Sequence, residues 1–192
     1  MYQMVVSRQQ ADIGWAGEEP ASLFDVLVYE GSSPGAEAED WLTHIQNRWQ
    51  DLPDYTIFLQ GSTTTHMGGL RELLGNFPTS AAGLEGTPGC RFLCDRVTFE
   101  NHDDSVVWDG SSWVRIKPLD LFGELFRGPP PGNFAYSPGG QYAVHRSNIV
   151  NKPVGFYRRA LALLKGDRTG RSKMERLWPM IFDGEDRWLC RP

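Results

Sequence analysis

Segment Tyr55–Leu59 constrains the fold of this chain more than any other stretch. It is short, β-branched and aromatic, which is typical of a buried strand. A polar loop that contains glycine follows it, from Gln60 to His66. In an open α/β sheet, ligands bind at the carboxyl ends of the strands, so a loop of this kind marks a candidate site. The segment therefore predicts a sheet and also the edge of that sheet where a ligand would bind.

Strand-like and helix-like segments alternate on both sides of this segment. Strands are predicted at Met4–Val6 and Phe24–Tyr29. A helix is predicted to open at Ser33 and Pro34, because apolar residues then recur at helical spacing, at Ala38, Trp41, Leu42, Ile45 and Trp49.

The second half of the chain predicts more elements of both kinds. A helix opens at Pro118, a short strand follows at Tyr142–Val144, and a basic turn leads into a helix from about Pro153 to Lys165. A basic loop then precedes a last helix that carries Glu175 among apolar residues. This order predicts a single α/β domain over residues 1–192, with a mixed, mostly parallel central sheet flanked by helices.

Net charge, cysteine content and hydropathy limit the expected partners and the expected compartment of this protein. The net charge is −5 and the sequence pI is about 5.4, which argues against a nucleic-acid partner. Three cysteines form no disulfide framework, which favours a reducing compartment. The first residues lack the pattern of a signal segment, and no apolar run approaches membrane-spanning length. We therefore expect a cytoplasmic protein without a membrane span.

Basic residues are concentrated in the C-terminal third of the chain, although the whole chain is acidic. They could bind a small phosphorylated ligand, or they could form the solvated face of a helix. The residues are Arg158, Arg159, Lys165, Arg168, Arg171, Lys173 and Arg176.

Glu175 has two interpretations. Ser172 and Glu175 have the spacing of a capping box, in which the serine hydroxyl and the glutamate each accept a hydrogen bond from a backbone N–H at a helix start. Alternatively, Glu175 is a carboxylate at a helix start that faces a cleft and acts as a general base. The two interpretations are compatible if the box holds the carboxylate in place.

Several blocks of the sequence together resemble a widespread family of uncharacterised proteins, a domain of unknown function. The blocks are Val5 to Arg8 with Asp12 and Trp15, Leu52 to Gly61 with His66, Gly140 to Arg146, Phe156 with Tyr157, and Glu175 to Phe182. In that family they read approximately V-x-R-x-x-E-D-x-x-W, L-P-D-x-x-x-F-L-H/Q-G, Q-F-A-V-S-R and E-x-L-W-x-x-I-F. The family is similar to compact glycosyltransferases of the GT-A fold, a Rossmann-like α/β sheet that binds a nucleotide sugar.

The resemblance implies a donor-binding set at the ends of the strands. The loop after the first strand would hold the nucleotide, through Ser7, Arg8, Asp12 and Trp15. The loop after Leu59 would lie near the diphosphate. The remaining donor contacts come from the block Gly140 to Arg146 and, for Arg171, from the basic C-terminal cluster. These further residues are Gln60, Gly61, His66, Gln141, Arg146 and Arg171. Glu175 matches the acidic residue that serves as the base in metal-independent relatives of the fold.

Two departures from the family pattern bear on the chemistry. The family's first block carries Glu-Asp where this chain has Ala11 and Asp12. No Asp-x-Asp motif for Mn²⁺ or Mg²⁺ follows the strand that ends at Leu59. The sequence therefore predicts no required cofactor and no metal site, and the basic C-terminal residues would stabilise the leaving diphosphate.

The resemblance implies an inverting glycosyltransferase that moves a sugar from a nucleotide sugar to a hydroxyl of a glycan, small molecule or protein. A binding module that has kept the fold but lost the chemistry is the first alternative. The second is a metal-dependent hydrolase, whose candidate ligands are His66, His102, Asp103 and His145.

Overall fold

The computed structural model describes residues 2–8, 13–17, 21, 24–31, 36–61, 72, 74–75, 90–93, 98–100, 105–108, 111–128, 134–136, 139, 141–167 and 169–183. Within these residues, the strands in chain order are β1 (Tyr2–Arg8), β2 (Asp25–Glu30), β3 (Tyr55–Gln60), β4 (Cys90–Phe92), β5 (Thr98–Glu100), β6 (Ser105–Trp108), β7 (Trp113–Ile116), β8 (Phe134–Tyr136) and β9 (Tyr142–His145).

The largest sheet of the described residues has five strands in the order β2-β1-β3-β9-β4. Strand β1 is parallel to β2 and to β3, whereas β9 is antiparallel to β3 and to β4. All strands of this sheet except β9 therefore run in the same direction. The predicted α/β fold with a mixed, mostly parallel sheet is confirmed, and so is the adjacency of the first three predicted strands.

The helices lie between and after these strands. They are α1 (Glu37–Asn47), α2 (Pro118–Phe126), α3 (Arg146–Val150), α4 (Val154–Gly166) and α5 (Gly170–Asp183), with a 3₁₀ helix at Gly14–Gly17. The predicted stripe of α1 is buried from Ala38 to Ile45, because its members share one side of the helix. Within the described ranges, no helix has the length and apolar character needed to cross a membrane.

An aromatic stack joins α5 and α1 to one face of the sheet. Phe58 of β3 stacks on Phe182 at 5.5 Å between ring centroids, and Phe182 stacks on Trp178 at 5.0 Å. Trp41 of α1 lies 5.4 Å from Trp178. All four side chains are almost fully buried, so this stack is the centre of the main core.

The opposite face of the sheet has its own core. Side chains alternate between the faces of a strand, so Val5 points toward the helices while Met4 and Val6 point away from them. The second core includes Ile57 and Leu93, and Trp15 packs against it from the 3₁₀ helix. Val5 and Ile57 are both 0% exposed, as expected for the centre of the sheet.

Two local predictions are wrong. The turn after β9 is the short helix α3, and His145 caps it, since the His145 side chain accepts a hydrogen bond from the N–H of Ser147, the second residue of the helix. Helix α5 begins at Gly170 rather than at Ser172, so Ser172 is inside the helix and makes no capping box. The earlier start follows from a side-chain bond: Asp167 accepts hydrogen bonds from the backbone N–H and the hydroxyl of Thr169.

His44 is a fully buried histidine on α1. Its Nδ1 shares a 3.2 Å hydrogen bond with the Tyr29 hydroxyl, and its Nε2 has no partner among the described residues. Burial, together with the nearby Arg48 guanidinium, lowers the pKa of His44 to about 4. The native protein therefore holds a neutral imidazole near neutral pH.

We expect His44 to make the protein less stable in acid. Between pH 6.5 and about 4 the unfolded chain protonates this imidazole and the native chain does not, so stability falls as pH falls. A shift of this size corresponds to roughly 3 kcal/mol in the free energy of unfolding. Urea unfolding at several pH values should show this loss in the wild type and a much smaller one in His44→Phe. An equal loss in both proteins would assign the acid sensitivity to carboxylates instead.

Candidate functional site

The chain reverses the direction in which it adds strands at β1. It first places β2 on one side of β1, and the crossover through α1 then places β3 on the other side. In open α/β sheets, the crevice at such a topological switch point, at the carboxyl ends of the strands, is where ligands bind. Ser7 and Gln60 are register partners at this end of β1 and β3. We call this edge of the sheet the switch-point edge.

Ser7 ties β1 to the first turn of α1. Its side chain is fully buried and its hydroxyl donates a short hydrogen bond to Oδ2 of Asp40. Space at this contact is limited, because a Cβ on Gly31 would lie 3.3 Å from the same oxygen. Burial raises the pKa of Asp40, while the hydrogen bond from Ser7 acts in the opposite direction. A half-buried carboxylate with a raised pKa is thus held at the switch-point edge.

Gln60 connects three elements at the same edge. Its side-chain amide donates to Oε1 of Glu37 in α1 at 3.0 Å, and its backbone N–H donates to Oε1 of Gln141 at 3.3 Å. Gln141 is fully buried, and its Nε2 has no hydrogen-bond partner among the described residues. A buried amide N–H₂ without a partner is costly, so Gln141 is the strongest mark of a ligand contact in this region.

Glu175 fixes the turn before Gln141. Its Oε1 accepts a hydrogen bond from the backbone N–H of Gly139 at 2.6 Å, and its Oε2 lies 3.4 Å from Nη1 of Arg176. Gly139 has a φ of 78°, a left-handed conformation that glycine adopts without steric cost. The carboxylate therefore anchors the turn that leads into β9, and the side chain remains 27% exposed.

The basic residues of α5 have acidic partners. Arg171 binds Oε1 of Glu39 through Nη2 at 2.6 Å and through Nε at 3.1 Å. Lys173 binds Oδ2 of Asp167 at 2.6 Å. Two of the basic residues that the sequence suggested for binding a phosphate group are therefore already paired with carboxylates of the fold.

The structure brings together most of the predicted site residues. Those at the switch-point edge are Ser7, Gln60, Gly61, Gln141, Arg171 and Glu175. Arg8 is at the same end of β1, but it points to Glu30 at 3.3 Å on the outer strand.

The remaining predicted residues do not join this group. Trp15 packs on the opposite face of the sheet, and its indole N–H has no partner among the described residues. Arg146 lies at the other end of the sheet, where its backbone N–H donates to the carbonyl of Asp54. Asp12 and His66 are outside the described residues.

Three carboxylates at this edge were missed at the sequence level: Glu37, Glu39 and Asp40. Acidic residues in the first turn of a helix are common because they interact favourably with its dipole, so their presence gave no separate signal. Only the α1 crossover shows that this turn faces the ends of β1 and β3. The sequence did contain one signal for these carboxylates: they begin a helix that connects two strands predicted for the same, mostly parallel sheet.

The described residues contain no group of three or more His, Cys, Asp or Glu side chains arranged to hold a metal ion. Of the candidate hydrolase ligands, His145 lies at the end of β9, where its Nδ1 bonds to Ser147. His66, His102 and Asp103 are outside the described residues.

No protein-family model matches the sequence, and no curated protein or solved structure matches it either. The chemistry of the switch-point edge is therefore the basis for a functional proposal.

We expect Glu175 to stabilise the fold through Gly139. Glu175→Ala leaves the backbone N–H of this buried glycine without its acceptor, which should cost about 1–3 kcal/mol in the free energy of unfolding. Glu175→Gln retains an oxygen at the same place and should cost much less. Chemical denaturation measures both, with Glu124→Ala on the exposed face of α2 as the control. Equal stability of Glu175→Ala and the wild type would contradict the structural role.

Proposed function

We propose that this protein is a glycosyltransferase that binds a nucleotide sugar at the switch-point edge and transfers the sugar to an acceptor hydroxyl. The observation that supports this proposal is the convergence of polar side chains on the carboxyl ends of β1 and β3. Among them, Gln141 is fully buried and presents N–H donors that have no partner in the described part of the chain. The resemblance to GT-A glycosyltransferases is in keeping with a ligand at this place.

The chemistry of the edge suits a ligand rich in hydroxyl groups. Carboxylates such as Asp40 and Glu37 accept hydrogen bonds from ribose or pyranose hydroxyls, and the Gln141 amide donates to a carbonyl or hydroxyl oxygen. Arg171 is close enough to Asp40 to lower the pKa of that carboxyl group, and Glu39 holds it there. In this proposal its positive charge stabilises the diphosphate, and no metal ion is required.

Glu175 is the proposed general base. A carboxylate has about four lone-pair sites, and the bonds from Gly139 and Arg176 use two of them, so an acceptor hydroxyl can still approach. In the proposed step Glu175 takes the hydroxyl proton while the acceptor oxygen bonds to the anomeric carbon. The bond from that carbon to the nucleoside diphosphate breaks, and the configuration inverts. The leaving group departs with the electron pair and is stabilised by positive charge.

A binding module without catalysis is the second candidate, and the ion pairs of α5 favour it. Arg171 and Lys173 are already paired with Glu39 and Asp167, which leaves less positive charge for a leaving diphosphate. The two candidates differ in one measurement. The module would bind a nucleotide sugar and release neither free sugar nor product.

We expect a nucleotide sugar to raise the melting temperature. A ligand at about 100 times its Kd stabilises the native state by about 2.7 kcal/mol. A thermal-shift panel of nucleoside diphosphates and nucleotide sugars identifies it, with and without EDTA. Gln141→Leu should weaken binding by about tenfold, the worth of one hydrogen bond. Arg146→Gln, at the opposite edge, should bind like the wild type. Binding that requires Mn²⁺ would contradict the metal-independent proposal, and no binding across the panel would end it.

We expect Glu175→Gln to lower turnover by about 10²–10⁴-fold, because glutamine keeps the size of the side chain but cannot take a proton. Donor binding and melting temperature should change little, since the amide oxygen can still accept from Gly139. Initial-rate measurements with a donor found by the panel test this, and Glu124→Gln is the matched control. An active Glu175→Gln enzyme would limit Glu175 to its structural role.

A further inference from the structure

Four basic residues lie at or next to the contact between the end of α2 and the start of α4. We call this surface the basic corner, and it consists of Arg127, Lys152, Arg158 and Arg159. An aromatic pair organises it. Phe126 lies 5.3 Å from Phe156 between ring centroids, and Lys152 lies 5.7 Å from the Phe126 ring.

Arg159 completes the contact with α2. Its Nη2 donates to the carbonyl of Leu125 at 2.7 Å, and its guanidinium lies 5.7 Å from the ring of Phe156. Arg158 is next to it on α4 and is exposed. These contacts hold Lys152 and Arg159 at the junction of α2 and α4. Arg127 directly follows Phe126, and Arg158 directly precedes Arg159.

The basic corner carries charge opposite to that of the whole chain. Within the described ranges, none of its four cations forms an ion pair with a carboxylate, whereas Arg171 and Lys173 both do. The nearest acid in sequence on α2, Glu124, precedes Arg127 by one helical turn and lines a cavity of about 250 Å³ with Ala162 and Lys173. A local positive field of this kind on an acidic protein attracts anions.

Arg127 has a conformation that disfavours arginine. Its φ of 57° and ψ of 29° are left-handed, and it is the only non-glycine residue with a positive φ in the described part of the chain. This position after a helix is usually glycine, because a Cβ is strained there. Strain of this kind concentrates at functional sites. The chain thus keeps a cation where glycine would fold more easily.

Apolar side chains flank the basic corner. Val150 is 40% exposed at the end of α3, and Pro153 is exposed directly after Lys152. A soluble phosphate or a nucleic acid makes little use of exposed apolar groups, whereas the boundary of a lipid bilayer buries them beside its anionic headgroups.

We propose that the basic corner docks this protein onto an anionic lipid surface. Headgroup phosphates and carboxylates contact the four cations, while Val150 and Pro153 enter the interfacial region. Each cation close to such a surface contributes about fivefold to the partition coefficient, which corresponds to about 1 kcal/mol. The contact is peripheral, and its strength decreases as salt screens the charges.

Co-sedimentation of the full chain with vesicles tests this proposal. We expect binding to vesicles that contain phosphatidylserine, weaker binding at high salt, and little binding to phosphatidylcholine alone. Inorganic phosphate at the same charge concentration should compete poorly. Equal binding to both kinds of vesicle, or binding to neither, would overturn the proposal. So would RNA or heparin that binds more tightly than the anionic vesicles.

Arg127→Gly gives the sharpest test, because its effects on stability and binding should have opposite directions. It removes a cation and relieves the left-handed strain, so vesicle binding should fall about fivefold while the melting temperature stays equal or rises. Arg127→Gly combined with Arg158→Gln should lose about 25-fold, if the two contributions multiply. Lys165→Gln is the matched control, an exposed cation of α4 outside the corner, and it should bind nearly as the wild type. Full binding by the double variant would refute the role of the basic corner.

Discussion

The contact between Phe58 and Phe182 is the one on which the rest of this structure depends. It stacks the last helix on the central strand, and Trp178 and Trp41 extend the stack to α1. Glu175 is seven residues before Phe182, so it lies on the same side of α5, roughly 10 Å along the axis. Once the aromatic stack forms, the helix places its carboxylate beside the switch-point edge. Hydrophobic packing therefore sets the position of the polar groups.

A chain of polar contacts then links four separate parts of the sequence at that edge. Glu175 holds Gly139, and the turn that follows positions Gln141 against Gln60, whose amide reaches Glu37. Each contact joins an element to one distant in sequence. Their energies are modest individually, since a typical hydrogen bond contributes about 1 kcal/mol net. The arrangement persists because the two cores on either face of the sheet fix the elements that carry it.

Most of the fold was predictable because its signals are local. Tyr55–Leu59 is β-branched and aromatic, and the apolar stripe of α1 has helical spacing, so each is recognisable without the rest of the chain. The failures depend on distant or competing contacts. β5 and β8 are three residues each and are defined by pairing with one another. The start of α5 depends on Asp167 side-chain bonds, which compete with the local capping pattern of Ser172.

The sequence by itself determined the α/β class, the central strands and the polar character of the residues that follow them, because these depend on the periodicity and chemistry of short segments. It could not determine which polar residues meet. Only the tertiary structure placed Arg146 at the opposite end of the sheet, paired Arg171 with Glu39, and brought the acidic start of α1 into contact with Ser7. The physical reason is that strand order and the α1 crossover are set by long-range packing, which no local pattern encodes.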